Sequence, residues 1–173
     1  MEAERFVNAK LDILRKIEHK FKNSNDILTQ IDKLMAENAE FQKQIENFRK
    51  EKLQQRKQWI KQQVKEVNGM NVLTVKLDDI TADEVKDLAF QLKGEIQNLY
   101  LVIGAAIEDK AHLTVMLADN LVADKKLNAG TIIREIAKEV QGGGGGQAFY
   151  ATAGGKNPAG LDAALNKAVK LIE

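Results

Sequence analysis

From Glu2 to Val67 the chain contains neither glycine nor proline. A stretch that long without a breaker points to continuous helix, because nothing in it removes an amide donor or loosens the backbone. Phe6, Val7, Leu11, Leu14, Ile17 and Phe21 recur at helical spacing. Asn23-Ser24-Asn25-Asp26 then interrupts the pattern. Ser24 or Asn25 is suited to cap a second helix, and Asp26 suits the positive end of its dipole. Ile27, Ile31, Leu34, Asn38, Phe41, Ile45 and Phe48 follow in steps of four and three, the heptad seam of a coiled coil. Beyond Phe48 the apolar positions slip to Leu53, Ile60, Val64 and Val67, so the seam rotates or ends there. Two helices with a short polar connection predict an antiparallel, coiled-coil-like hairpin over residues 1–69. The alternative is that the seam pairs with a second copy of the chain as a homodimer. Asn38 is a polar knob of the kind that sets register.

The second part, residues 70–173, changes character. Val72, Leu73, Val75 and Leu77 read as a strand, and Thr81-Ala-Asp-Glu84 as a capping box opening a helix that buries Val85, Leu88, Ala89 and Leu92. Tyr100–Ile107 is a continuous apolar strand, Glu108-Asp109-Lys110 a hairpin turn, and Ala111–Leu117 the antiparallel return. A helix is predicted over about Thr131–Val140 with Gly142 as its left-handed terminator. A short strand is predicted over Ala148–Ala153. The last helix is predicted to start at Asn157-Pro158, with Leu161, Leu165, Val169 and Ile172 inward. The class is therefore α+β or mixed α/β: a long helical hairpin, then a small globular domain whose mixed sheet is covered by helices.

Charge is unevenly spread. The net charge of the whole is +1. Residues 49–65 nevertheless hold Arg49, Lys50, Lys52, Arg56, Lys57, Lys61 and Lys65 against Glu51 alone. Lys57, Lys61 and Lys65 would fall one turn apart on one helix face. Such a face either binds a polyanion or is simply solvated. There is no cysteine, which excludes disulfides, thiol catalysis and cysteine-ligated zinc and suits a reducing, cytoplasmic setting. No apolar run reaches the length of a membrane span and no signal-peptide pattern opens the chain. The sequence begins inside helical-looking residues, as expected of a cut from a longer protein.

Five consecutive glycines, Gly142, Gly143, Gly144, Gly145 and Gly146, stand between regular elements. Glycine is costly to order, by about 0.5–1 kcal/mol relative to alanine. Either the run is an incidental flexible loop, or something approaches its backbone closely: a phosphate, a sugar or a second chain. Gly154-Gly155-Lys156-Asn157-Pro158 joins a strand to a helix N-terminus, where Lys156 and the dipole favour an anion. The plain alternative is a tight turn and cap, and the spacing is not that of a Walker loop. His19 and His112 lack a ligand pattern and read as surface or strand residues. No nucleophile–base signature or metal motif is present.

Ala129-Gly130-Thr-Ile-Ile-Arg134-Glu-Ile-Ala137, the glycine run, and Ala151-Thr-Ala-Gly154-Gly155-Lys156-Asn-Pro158 together resemble the C-terminal end of alanyl-tRNA synthetases. Asp119-Asn-Leu-Val-Ala-Asp124 resembles that family's lead-in to the helix. The resemblance implies a helical subdomain followed by a DHHA1-type domain, a fold shared with a class of phosphoesterases. It also implies a non-catalytic module that holds alanine tRNA between aminoacylation and editing sites and, in some members, supports dimer formation. The aminoacylation core with its ATP, and the zinc-bearing editing site, lie in upstream domains of that family, so no cofactor is expected here. The motif matches extend to Gly142–Gly146, Gly154, Gly155 and Lys156. The arm cations, Arg49, Lys50, Arg56, Lys57, Lys61 and Lys65, are added as expected RNA contacts from charge alone. A phosphoesterase-like nucleic-acid-binding domain is the least favoured reading.

Overall fold

The computed structural model describes residues 2–21 and 26–172. It divides into two compact units between Glu51 and Lys52. In the first unit α1 runs Glu2–Lys20 and is 19 residues long. Helix α2 runs Ile27–Lys61, 35 residues, and so continues into the second unit. The caps expected at Ser24 and Asn25 lie outside the described residues. The Asp26 carboxylate accepts a hydrogen bond from the Thr29 amide at 3.1 Å, and the Thr29 side chain first and this amide second hold its pKa below the ordinary range. No residue of α1 is buried, and Leu34, Phe41, Ile45 and Phe48 of α2 stay exposed.

The second unit is built on a six-stranded sheet in the order β1-β2-β3-β4-β6-β5. Its strands are β1 Lys65–Val67, β2 Met70–Leu77, β3 Leu99–Ile107, β4 Lys110–Leu117, β5 Gly142–Gly146 and β6 Tyr150–Gly155. Only β2 and β3 run parallel; the other pairs are antiparallel. Between β2 and β3 lies α3, Ala82–Glu95, opened by the capping box of Thr81 and Glu84. Short α4, Asp119–Ala123, and α5, Ala129–Ile136, connect β4 to β5, and α6, Leu161–Lys170, ends the unit.

The sheet is covered on both faces. The Tyr100 hydroxyl donates to the Ala168 carbonyl at 2.8 Å, and a side chain on Gly104 would meet Leu161 and Leu165, so this face of β3 packs on α6. Leu101 is of opposite parity and pairs with Met116, which pairs with Tyr150; the Tyr150 ring lies 5.4 Å from Phe90 of α3. That face belongs to α3. Burial on both sides explains why β3 reads as an unbroken apolar run rather than an alternation. Among the described residues no helix is long and apolar enough to cross a membrane.

The sequence predicted four strands in this part, and six are present. β1 and β2 form a hairpin around Asn68 and Gly69, both left-handed at φ 51° and 74°, as a type I′ turn requires. β5 is the glycine run itself. The helix expected over Thr131–Val140 is α5 followed by a 3₁₀ turn, Ala137–Val140. Its left-handed terminator is Gln141 at φ 53°, not Gly142.

Candidate nucleic-acid interface

The glycine run is an edge strand. Gly142, Gly144 and Gly146 pair with Gly155, Ala153 and Ala151, and Gly143 and Gly145 with Gly154 and Thr152. The two sets differ in room. A Cβ on Gly142 would stand 2.0 Å from the Gly154 carbonyl oxygen, on Gly144 2.1 Å from that of Thr152, and on Gly146 2.3 Å from that of Tyr150. A Cβ on Gly143 meets nothing within 4 Å, and one on Gly145 meets only the Arg134 guanidinium, at 3.9 Å. What approaches the run closely is therefore the protein's own β6. Alternate residues are squeezed against that strand, and the intervening ones are open.

Gly154 and Gly155 belong to β6 rather than to the turn expected there, because β6 reaches two residues beyond the predicted Ala153. Gly154 is open, whereas a Cβ on Gly155 would stand 2.4 Å from the Val140 carbonyl oxygen. Gly143, Gly145 and Gly154 thus leave a patch of sheet without side chains, continued by Thr152 and, across the register from Gly154, by His112. Arg134 is exposed on α5 beside it, and Lys156 is exposed at the end of β6. The sequence reading missed Arg134. Its only signal was an arginine opposite the buried Ile132, Ile133 and Ile136 of a helix that runs into glycines.

The helix N-terminus after Lys156 differs from the expected anion site. Asn157 makes no side-chain cap, a 3₁₀ turn Pro158–Gly160 intervenes, and α6 begins at Leu161. A side chain on Gly160 would stand 2.0 Å from the Glu139 carbonyl oxygen, so this end is packed against protein. Asp162 occupies its first turn and binds Lys76 at 2.8 Å. The intervening turn moves the free helical amides away from Lys156.

The basic stretch is also rearranged. The last turns of α2 bury Ile60 and Lys57. The Lys57 ammonium donates to Glu95 at 2.8 Å and to Gln91 at 3.1 Å, and Lys61 donates to the other Glu95 oxygen at 2.9 Å. The two lysines hold the Glu95 carboxyl below its ordinary range, Lys57 most strongly. Arg56 donates to the carbonyls of Asp78 and Asp79 at 2.6 and 2.9 Å, Lys52 binds Asp79, and Lys50 binds Glu46 at 2.6 Å. Lys65 is not on the helix at all but on β1. The common face of Lys57, Lys61 and Lys65 does not exist, because α2 ends at Lys61 and its basic end is matched to acidic α3 and the β2–α3 loop. Arg49 and Lys65 remain exposed and without an ion pair among the described residues.

His112 lies half-buried on β4, its Nε2 3.3 Å from the Thr114 hydroxyl, and burial holds its pKa below the ordinary histidine value. The unfolded chain therefore binds the proton more readily, so His112 supports the fold above about pH 6.5 and opposes it progressively below. Urea denaturation between pH 7 and pH 5 should show stability falling, with a shallower fall in His112→Gln. Equal slopes in the two proteins would remove this role.

The family model for the DHHA1 domain matches residues 69–173. The chain belongs to the DHHA1 domain family. It is 46% identical over 171 residues to an alanine–tRNA ligase of Christiangramia forsetii, covering 99% of this chain and 20% of that protein. It is 47% identical over 161 residues to one of Bacteroides fragilis, covering 92% of this chain and 18% of that protein. The chain spans about a fifth of the length of these curated relatives. In fold, it is similar to the C-Ala domain of Aquifex aeolicus alanyl-tRNA synthetase, with a TM-score of 0.59 at 24% identity over 64% of this chain and 97% of that one. Among the described residues, the DHHA1 domain and its helical arm contain no group of three or more His, Asp or Glu placed to hold a metal ion.

Proposed function

We propose that this chain is the C-terminal tRNA-binding and positioning module of an alanine–tRNA ligase, holding alanine tRNA for aminoacylation and editing performed by other domains. The observation that carries the reading is the match of 99% of the chain to an alanine–tRNA ligase. ATP and zinc belong, on this reading, to the rest of a cytoplasmic enzyme, and this module contributes no catalytic group.

The side-chain-free patch of Gly143, Gly145 and Gly154 supports the reading physically. A sugar–phosphate backbone can lie against bare sheet more closely than against any face carrying side chains. Arg134 and Lys156 stand at its margin to meet phosphates, contacts that position RNA without reading sequence. Binding should therefore weaken steeply with salt. Titrations of alanine tRNA, another tRNA and an RNA duplex of equal length should rank the tRNAs above the duplex. Arg134→Glu combined with Lys156→Glu should lower tRNA affinity at least about tenfold at low salt, with an unchanged thermal transition. No complex with any tRNA would remove the reading.

A second reading rests on a separate observation: Leu34, Phe41, Ile45 and Phe48 are exposed along α2, at 53%, 60%, 53% and 67%. An apolar stripe at heptad spacing fits pairing with a second copy. Sedimentation decides it: a monomer at every concentration argues against pairing.

A further inference from the structure

The sheet flank opposite the glycine strand holds a cavity. β1 is three residues long, and its register with β2 ends at Lys65 opposite Val72. β2 continues to Leu77. Past Val72 its outer edge therefore has no neighbouring strand among the described residues. Val72 and Thr74 share the face of their parallel partners Tyr100 and Val102, which is the face that packs on α6. A cavity of about 560 Å³ opens there, bounded by β1, β2 and the end of α6. That volume lies in the range of small-ligand sites.

The lining combines three kinds of group. Val67, Val72 and Val169 provide the apolar surface, Gln63 and Asn166 two carboxamides, and Lys65 and Lys170 two ammonium groups. Among the described residues no carboxylate lines it. Elsewhere in this unit Lys57, Lys61, Lys76, Lys93 and Lys167 are each tied to a carboxylate. Lys65 and Lys170 have no such partner among the described residues. Alternation along β1 turns Glu66 to the opposite face.

A flat, uncharged ring joined to a phosphate suits each of these groups. The valines cover the ring, the carboxamides offer both donors and acceptors to its edge, and the lysines meet the phosphate. Where proteins recognise individual bases of a folded RNA, they do so largely at unpaired, unstacked nucleotides, because side chains cannot read the deep A-form groove. We propose that this cavity takes one unstacked nucleotide of an RNA strand. The proposal rests on the tRNA-binding reading and adds to it a second place of contact, on the far flank from the glycine patch.

The test has two arms on the full chain. In the first, amide NMR spectra are followed during titration with AMP, UMP and inorganic phosphate. The nucleotides should shift the signals of Val67, Val72 and Val169, and phosphate should not. Equal shifts with phosphate would mean an anion site only, and the nucleotide pocket would fall. In the second, Lys65→Glu with Lys170→Glu, both exposed positions, should weaken alanine tRNA at least tenfold at about 50 mM salt and lower the salt slope by about 0.7 to 0.9, the share of one phosphate. Duplex binding should change far less. Unchanged tRNA affinity would overturn the pocket and leave the tRNA reading standing. A parent chain that binds no tRNA would instead overturn that reading, and the valine shifts with AMP and UMP would then decide the cavity alone.

Discussion

Alanine at Gly142 or Gly144 should cost the DHHA1 domain much of its stability, whereas alanine at Gly143 should cost almost nothing. At Gly142 the new methyl would stand 2.0 Å from the Gly154 oxygen and 2.6 Å from the Gly155 Cα. At Gly144 it would stand 2.1 Å from the Thr152 oxygen and 2.5 Å from the Ala153 Cα. These are backbone atoms of a paired strand. They cannot swing aside as a side chain would, so relief requires opening the β5–β6 ladder. Overpacking at yielding sites costs about 1–3 kcal/mol, and an unyielding one should lie at or above the top of that range. This is a large share of the about 5–15 kcal/mol that holds an ordinary domain folded.

Gly143 has open space on its side-chain side and is not at positive φ. Alanine there removes freedom from the unfolded chain and should leave stability unchanged or raise it by up to about 1 kcal/mol. Urea denaturation of the three single variants checks the contrast. Similar losses at Gly142 and Gly143 would show that the alternation of closed and open glycines is wrong. Gly143→Val then becomes a functional probe. It should keep the fold and lower tRNA affinity by putting a branched side chain on the bare patch.

Lys57→Glu should lose about 1–3 kcal/mol, the cost of a buried polar group left without its partner, while Lys57→Met stays close to the parent. Lys57 is only 8% exposed, and its ammonium sits 2.8 Å from Glu95. Reversing its charge would place two carboxylates together beside the Gln91 oxygen. Glu95 is itself 37% exposed, so solvent screens that pair, and the loss comes chiefly from placing a new carboxylate at the buried position 57 beside the Gln91 oxygen. Methionine keeps the length and apolar stem, and Glu95 retains Lys61. Denaturation curves separate the two variants. The same experiment bears on RNA binding. Reversal of Lys57 should weaken binding by freeing the end of α2 from α3, and Lys57→Met should bind tRNA as the parent does. Weakened binding in a fully folded Lys57→Met protein would restore Lys57 as a direct RNA contact.

Much of the fold was legible because its signals are local. Thr81 and Glu84 form their capping box three residues apart. The β3–β4 hairpin turns at Glu108 and Asp109, both left-handed. The break-free run up to Val67 does contain two long helices. β1 was missed although its signal was present: Asn68-Gly69 is a strong hairpin cue. The helical arm was expected to run to residue 69, which left no strand before this turn. β5 carried no cue, since five glycines have no alternation and no strand propensity.

The candidate site was less legible. Counting cations found the basic stretch of α2 but could not reveal that Glu95, 38 positions from Lys57 and 34 from Lys61, binds both with one carboxylate. Arg134 and the open glycine faces depend on how α5 and β6 lie against β5. The order of residues fixed periodicities, caps and turns, because those depend on neighbours a few positions away. Which glycines are crowded and which bare, and which lysines are already paired, was decided by the packing of distant segments, because steric room and charge pairing act through space.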